Sequence, residues 1–154
     1  MGILSIDVGT TETGFCLIDK DTYKPIHFGK ISNEELLQIV KNEDYDILIY
    51  EEFQSYGMPI GISTITSITW NGRYIQSALD RNKIVDYIYR KEEKMNICGS
   101  MKAKDSNIRQ ALIDRFGEVG TKKNQGFFYG FKKDIWAAYA VGITWLDKQK
   151  ELHK

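Results

Sequence analysis

The chain has two cysteines among its 154 residues, and neither stands in a spacing that builds a disulfide framework or a cysteine metal site. Cys16 (in GFCLID) and Cys98 (in MNICGS) lie in apolar surroundings. They read as buried free thiols in a reducing compartment, with a disulfide as the alternative. No apolar run approaches the roughly 20 residues of a membrane span. The apolar start turns charged at Asp7, so no signal peptide is visible. Internal repeats, linkers and low-complexity tracts are also missing. These absences predict one soluble, cytoplasmic domain over residues 1–154, long enough to bury a real core. Charge of one sign is lacking as well: 21 basic and 21 acidic side chains cancel. A zero total argues neither for nor against a polyanionic partner, so only segregation of charge along the chain is informative.

What is present is a clear order of elements. Residues 3–8 read as a strand, GTTETG as a turn and FCLIDK as a second strand. DTYKP is another turn and IHFGKI a third strand, which together make an antiparallel meander. SNEELLQIVKN opens on a Ser/Asn cap and has Leu36, Leu37 and Val40 at helical spacing. DILIYEE is a fourth strand whose apolar run predicts burial on both faces, as in a parallel sheet. Ile65, Ile68, Gly72, Ile75 and Leu79 form a stripe on a long helix over about residues 61–80. IVDYIY reads as a fifth strand. DSNIRQALIDRF is a helix capped by Asp105 or Ser106, and KKDIWAAYAVGITWLDKQK is the last helix. The order β-β-β-α-β-α-β-α-α predicts a mixed sheet with helices on its faces.

Three acids end three of these elements. Alternation along a strand puts Ile3, Ser5 and Asp7 on one face of the first strand, and Ile47, Ile49 and Glu51 on one face of the fourth. If those strands are neighbours, Asp7 and Glu51 meet at one edge of the sheet. Asp134 lies in the first turn of the last helix, beside Ala137 and Ala138, whose small side chains permit a close approach to the sheet. Converging carboxylates repel unless a cation sits between them. Oxygen ligands without His or Cys suit Mg²⁺ or Mn²⁺, which can activate water and clamp the oxygens of a phosphodiester. Taken singly, each acid has a plainer reading: Asp7 as a turn former, Glu51 as a surface charge, Asp134 as a partner of the helix dipole.

The charge does segregate. TKKNQGFFYGFKK sets Lys122, Lys123, Lys132 and Lys133 around Phe127, Phe128, Tyr129 and Phe131, with Gly126 and Gly130 expected to keep the loop mobile. Lysines bind phosphates and aromatic rings stack on unpaired bases, although such rings also pack into cores. MKAKDSNIR adds Lys102, Lys104 and Arg109, so the C-terminal half is locally basic. Trp70, Trp136 and Trp145 read as packing residues.

The ordered set SIDVGTTETGFCLID, ILIYEEF, WNGRYIQSAL, KMNICGSMKAKDSNIRQAL and KKDIWAAYAVG spans nearly the whole chain. It resembles the RuvC-type Holliday-junction resolvases of the RNase H-like superfamily, most of all their short phage and prophage members. The resemblance implies an RNase H-like fold: a mixed five-stranded sheet, meander plus parallel strands, flanked by helices. It implies Mg²⁺-dependent cleavage of four-way and other branched DNA, with Mn²⁺ as a substitute, in the cytoplasm at the nucleoid, or in the host cytoplasm for a phage protein. Asp7, Glu51 and Asp134 match the family's acids, with Glu52 as a one-residue alternative to Glu51. Lys94 and Lys104 match its two lysines, positioned to stabilise developing negative charge. Phe53, Lys102, Lys104, Arg109, Lys122, Lys123, Lys132 and Lys133 are the expected DNA contacts. Phe131 stands where the family carries a fourth ligand, which leaves a single firmly held ion or a weak second one. The helix near 61–80, with Trp70 and Tyr74, matches the family's homodimer contact.

Two other classes compete. IDVGTT also resembles the first phosphate loop of actin-like kinases and ATPases, whose full fold needs two such domains. The loss of a ligand at Phe131 also fits a junction-binding protein that cuts little. ATP hydrolysis, or junction binding without cutting, would distinguish them.

Overall fold

The computed structural model describes residues 2–153. Strands β1 (Gly2–Asp7), β2 (Glu12–Asp19) and β3 (Pro25–Ser32) form the meander. Helix α1 (Asn33–Asn42) leads to β4 (Ile47–Glu51), and α2 (Ile62–Asp80) to β5 (Ile84–Ile88). Helices α3 (Arg90–Cys98), α4 (Asp105–Phe116) and α5 (Lys133–Leu152) complete the fold. The sheet order is β3-β2-β1-β4-β5. The meander is antiparallel, and β1–β4 and β4–β5 are parallel.

Alternation divides the core in two. Ile3, Cys16, Ile18, Ile49 and Ile88 face α5 and α4, where Ile108, Leu112, Tyr139 and Ile143 meet them. Leu4, Ile6, Phe15, Leu17 and Leu48 face α1 and α2 on the other side, against Leu36, Val40, Tyr74 and Ala78. Ser32 caps α1 as its sequence predicts, accepting a hydrogen bond from the Glu35 amide at 3.2 Å. Trp136 and Trp145 are buried, and both cysteines are free. No helix among the described residues is long and apolar enough to cross a membrane.

Four expectations need correction. Helix α3 has no counterpart in the sequence reading, because RKEEKMNIC carries only a weak apolar face. The cap of α4 is Lys104, not Asp105 or Ser106; its amide donates to Asn107 Oδ1 at 2.9 Å, so Asn107 reaches back to close the helix start. Tyr74 of α2, expected at a homodimer contact, is fully buried against the sheet and has no surface left for a second chain; Ile75 and Ala78 pack beside it, while Ile65, Ile68 and Leu79 of the apolar stripe are 45%, 41% and 49% exposed. Finally, Phe127, Phe128 and Phe131 are not free to stack on bases. Phe128 and Phe131 are buried, and Phe127 lies flat on Phe116 at 5.2 Å. Gly126 serves tightness, not mobility, since a Cβ there would lie 2.0 Å from the Glu118 carbonyl oxygen.

Backbone of α5 approaches the sheet closely at Gly14, where a Cβ would lie 2.5 Å from the Asp134 carbonyl oxygen. That oxygen belongs to backbone and cannot swing aside. Gly14→Ala should therefore cost about 1–3 kcal/mol or more through overpacking. Urea unfolding of the two proteins measures the difference, and equal midpoints would show that α5 shifts freely.

Candidate active site

The site is built on strand register. In parallel β1 and β4, Ile6 pairs with Tyr50, which brings Asp7 level with Glu51 one residue further on. Across the meander, Asp7 pairs with Gly14, and Gly14 with Lys30. Directly paired residues share a face, so Asp7, the Gly14 gap and Lys30 form a row under the first turn of α5. Asp134 descends into the gap, and its Oδ2 meets Lys30 Nζ at 2.5 Å. Asp7, Glu51 and Asp134 thus line one cleft of about 640 Å³, with Arg90, Asp105, Arg109, Lys132 and Lys133 also in its wall. A smaller cleft of about 260 Å³ lies on the other side of Asp134, between Lys30 and the β1–β2 turn.

The electrostatics are those of crowded acids. Burial, then Glu51 and Asp134, push Asp7 from 3.8 up to about 7. Behind Glu51, Glu93 of α3 is fully buried, and burial followed by Glu51 pushes its carboxyl well up. Glu93 Oε1 pairs with Arg90 at 3.3 Å, while its Oε2 has no hydrogen-bond partner among the described residues. Arg90 also pairs with Asp105. This donor set of carboxylate oxygens, unfavourable when all are ionised and without a counter-ion, fits a hard divalent cation. Among the described residues, however, no three His, Cys, Asp or Glu side chains close into a ligand cluster. Lys30 engages Asp134 at one end of the site, and the Arg90–Glu93 pair flanks Glu51 at the other.

The remaining sequence-identified residues divide by position. Glu52 turns away from Asp7: its Oε2 accepts from Tyr50 Oη at 3.3 Å and its Oε1 from the Phe53 amide at 3.0 Å. Glu52, Phe53 and Lys94 line an adjoining cleft of about 410 Å³ that shares Glu51 and Arg90 with the first. Lys104 is exposed at the start of α4, next to cleft residues Asp105 and Ser106, and Lys102 is exposed before it. Lys122 and Lys123 are exposed in the turn closed by the Gly120–Gln125 bridge, outside the cleft wall. Phe131 borders the cleft but packs on Phe28, Phe128 and Trp136 at 4.7, 5.1 and 4.9 Å. Lys30, Arg90 and Glu93 escaped the sequence reading, and Asp105 was read only as a helix cap. Lys30 was accessible in principle by counting register across both hairpins, whereas Arg90 and Glu93 depend on the unrecognised α3.

No family model matches the chain, and no curated protein matches it either. Solved structures do. A structure of Thermus thermophilus RuvC superposes with a TM-score of 0.73 at 13% identity, covering 98% of this chain and 97% of that one. T. thermophilus RuvC in complex with Holliday junction substrate gives a TM-score of 0.71 at 12% identity, covering 97% and 96%. The chain therefore has the RuvC-type, RNase H-like fold over nearly its whole length.

The raised Asp7 carboxyl makes a prediction for metal-free protein. A group that titrates near 7 when folded and at 3.8 when unfolded binds more protons in the native state between those values. Stability therefore falls as pH rises from about 4 to about 7, by at most about 4 kcal/mol from this group. Asp7→Asn should remove that part of the fall. In chelator, its thermal midpoint should exceed that of the wild type at pH 8 and converge with it near pH 4. Parallel curves across the range would show that Asp7 is not under this strain.

Proposed function

We propose that the chain is a divalent-cation-dependent endonuclease that binds Holliday junctions and other branched DNA and cuts them by phosphodiester hydrolysis, in recombination and repair. The observation that carries this reading is the convergence of Asp7, Glu51 and Asp134, from three separate elements, on one cleft with a basic wall. The fold adds support, since the T. thermophilus RuvC that shares it is also described in complex with a Holliday junction substrate.

Asp7, Glu51 and Asp134 are the residues that would hold Mg²⁺, or Mn²⁺ in its place. Held there, such an ion would supply a water nucleophile at neutral pH and offset charge on the phosphate oxygens. The chain's own cations do the rest. Lys132 and Lys133, at the start of α5, and Arg109 offer phosphate contacts beside the acids. Lys94, in the adjoining cleft, and Lys104, at the start of α4, would stabilise developing negative charge on the phosphate. Phe53, 40% exposed in the same cleft as Lys94, offers a ring to an unpaired base. Lys102, Lys122 and Lys123 extend the basic surface beyond the cleft. Such a nuclease acts in the cytoplasm, where the DNA is.

The deciding experiment incubates labelled four-way, three-way and linear DNA with the protein, with and without Mg²⁺ or Mn²⁺. Metal-dependent cutting of the branched substrates is expected; binding without cutting would identify a junction binder. Asp7→Asn, Glu51→Gln and Asp134→Asn should each lower the cleavage rate by about two orders of magnitude or more, because metal stabilisation is worth several kcal/mol. Gel shifts in chelator should show junction binding retained or tightened, as each change removes a charge that repels phosphate. Full activity of a folded Asp7→Asn protein would end the proposal.

Symmetric cutting of a four-way junction needs two active sites related by a two-fold axis. Exposed Ile62, Ile65 and Ile68 on α2 supply an apolar face for a second copy, with Leu79 near its far end. Sedimentation at micromolar concentration should show a dimer, and Ile65→Asp with Ile68→Asp should yield a folded monomer. A monomeric wild type, with and without DNA, would refute this assembly.

A further inference from the structure

We propose that Lys30 is a positioning residue of this centre: its ammonium holds Asp134 and competes with a divalent cation for that carboxylate. The inference rests on the reading of Asp134 as a metal ligand and goes beyond it, because it assigns a role to a residue outside the acid set.

Three observations carry it. First, the placement follows from register. Asp7, Gly14 and Lys30 are paired in a row across β1, β2 and β3, and with no side chain on Gly14 the Asp134 backbone and Cβ come down between an acid and a lysine. Second, the contact is direct: Lys30 Nζ lies 2.5 Å from Asp134 Oδ2. Third, Phe131 lies just before α5, with its ring against Phe28 of the same strand as Lys30. At this end of the site the chain has an aromatic ring and an ammonium, and Asp134 is the acid they adjoin.

A lysine on an edge strand has an ordinary explanation, since such lysines discourage strand-to-strand aggregation. A guard lysine, however, gains nothing from reaching a helix carboxylate, and it predicts no effect on cation binding. An ammonium on a ligand oxygen makes a different prediction. The cation must displace it or bind beside a like charge, and either lowers affinity. Lys30 and Asp134 are 47% and 33% exposed at their side chains, so water screens the pair and the effect is moderate.

Calorimetric titration with Mn²⁺ alone, without DNA, tests this on the full chain. Lys30→Met should bind Mn²⁺ about tenfold more tightly than wild type, and Lys30→Arg, which keeps the charge, should stay near wild type. Lys30→Gln, run in parallel, keeps a polar side chain on this exposed strand and should follow Lys30→Met. The gain should vanish when Asp134→Asn is also present, which a general effect on folding would not do. In cleavage assays the half-saturating Mg²⁺ concentration should fall in the same ratio. An unchanged Mn²⁺ affinity in both neutral variants, or a gain that persists beside Asp134→Asn, overturns the role of Lys30 while leaving the nuclease reading intact. A wild-type chain that neither takes up Mn²⁺ nor cuts junctions overturns both.

Discussion

At Gly14 the first turn of α5 rests on the sheet with no side chain between them, and that approach sets Asp134 beside the two acids that strand register brings together. The helix continues along the sheet on small residues. Ser5 Oγ donates to the Ala138 carbonyl oxygen at 2.5 Å, and a Cβ on Gly142 would meet Ile18 Cδ1 at 2.4 Å and Ser5 Cβ at 3.0 Å. What holds the helix there is apolar burial. Ile135, Tyr139, Ile143 and Leu146 of α5 are all buried, and a fully buried large apolar side chain contributes about 1.5–3 kcal/mol. Four of them outweigh the strain recorded in Asp7, whose carboxyl burial and neighbouring acids push up to about 7. The core therefore brings together acids that would separate if left to themselves.

The chain meets the resulting charge at both ends of the acid row. Lys30 reaches Asp134 from β3, and Arg90 pairs with Glu93 and Asp105 beside Glu51. Asp7 stands between them, paired with neither in a salt bridge among the described residues. Burial and the two neighbouring acids raise its carboxyl to about 7. The same logic explains the segment that enters α5. Its aromatic residues form one packed cluster, with Phe131 meeting Trp136 at 4.9 Å and Tyr139 at 5.6 Å. The cluster fixes the angle at which Lys132, Lys133 and Asp134 enter the cleft, so the rings act on the site through packing.

Much of this was legible in the sequence, and the reason lies in periodicity. A period of two placed Asp7 and Glu51 on the face shared by Ile3 and Ile49, and the acids do line one cleft with Asp134. The small residues beside Asp134 announced the close approach. Three things were harder to read. Helix α3 is largely polar, so neither its existence nor its Arg90 and Glu93 stood out. Lys30 lies far from Asp134 in sequence and becomes its neighbour only through register summed over two hairpins. The aromatic loop has the composition of a nucleic-acid contact and of a core alike. Burial decides between them, and burial depends on the partner Phe116 and on the oxygen of Glu118 beneath Gly126.

A strained acid is useful only if the backbone under it does not yield, and the turn after Asp7 is clamped from the opposite face of the sheet. Asn33, nearly fully buried at the start of α1, donates from Nδ2 to the Gly9 carbonyl oxygen at 3.1 Å. Its Oδ1 accepts from Thr13 Oγ1 at 2.5 Å, and its amide donates to the Thr11 carbonyl oxygen at 2.9 Å. Thr13 Oγ1 in turn accepts from the Gly9 amide at 3.4 Å. The Asn33 carbonyl oxygen accepts from Tyr74 Oη of α2 at 3.1 Å. Buried polar groups that are satisfied in this way resist displacement, because breaking one leaves its partner unpaired in the core. The network thus ties α2, α1 and both ends of the β1–β2 turn into one unit. Relaxing the repulsion at Asp7 by moving that turn would break several of these bonds at once. Taking up a proton or a cation at the carboxylate breaks none, and that is the response this backbone leaves open.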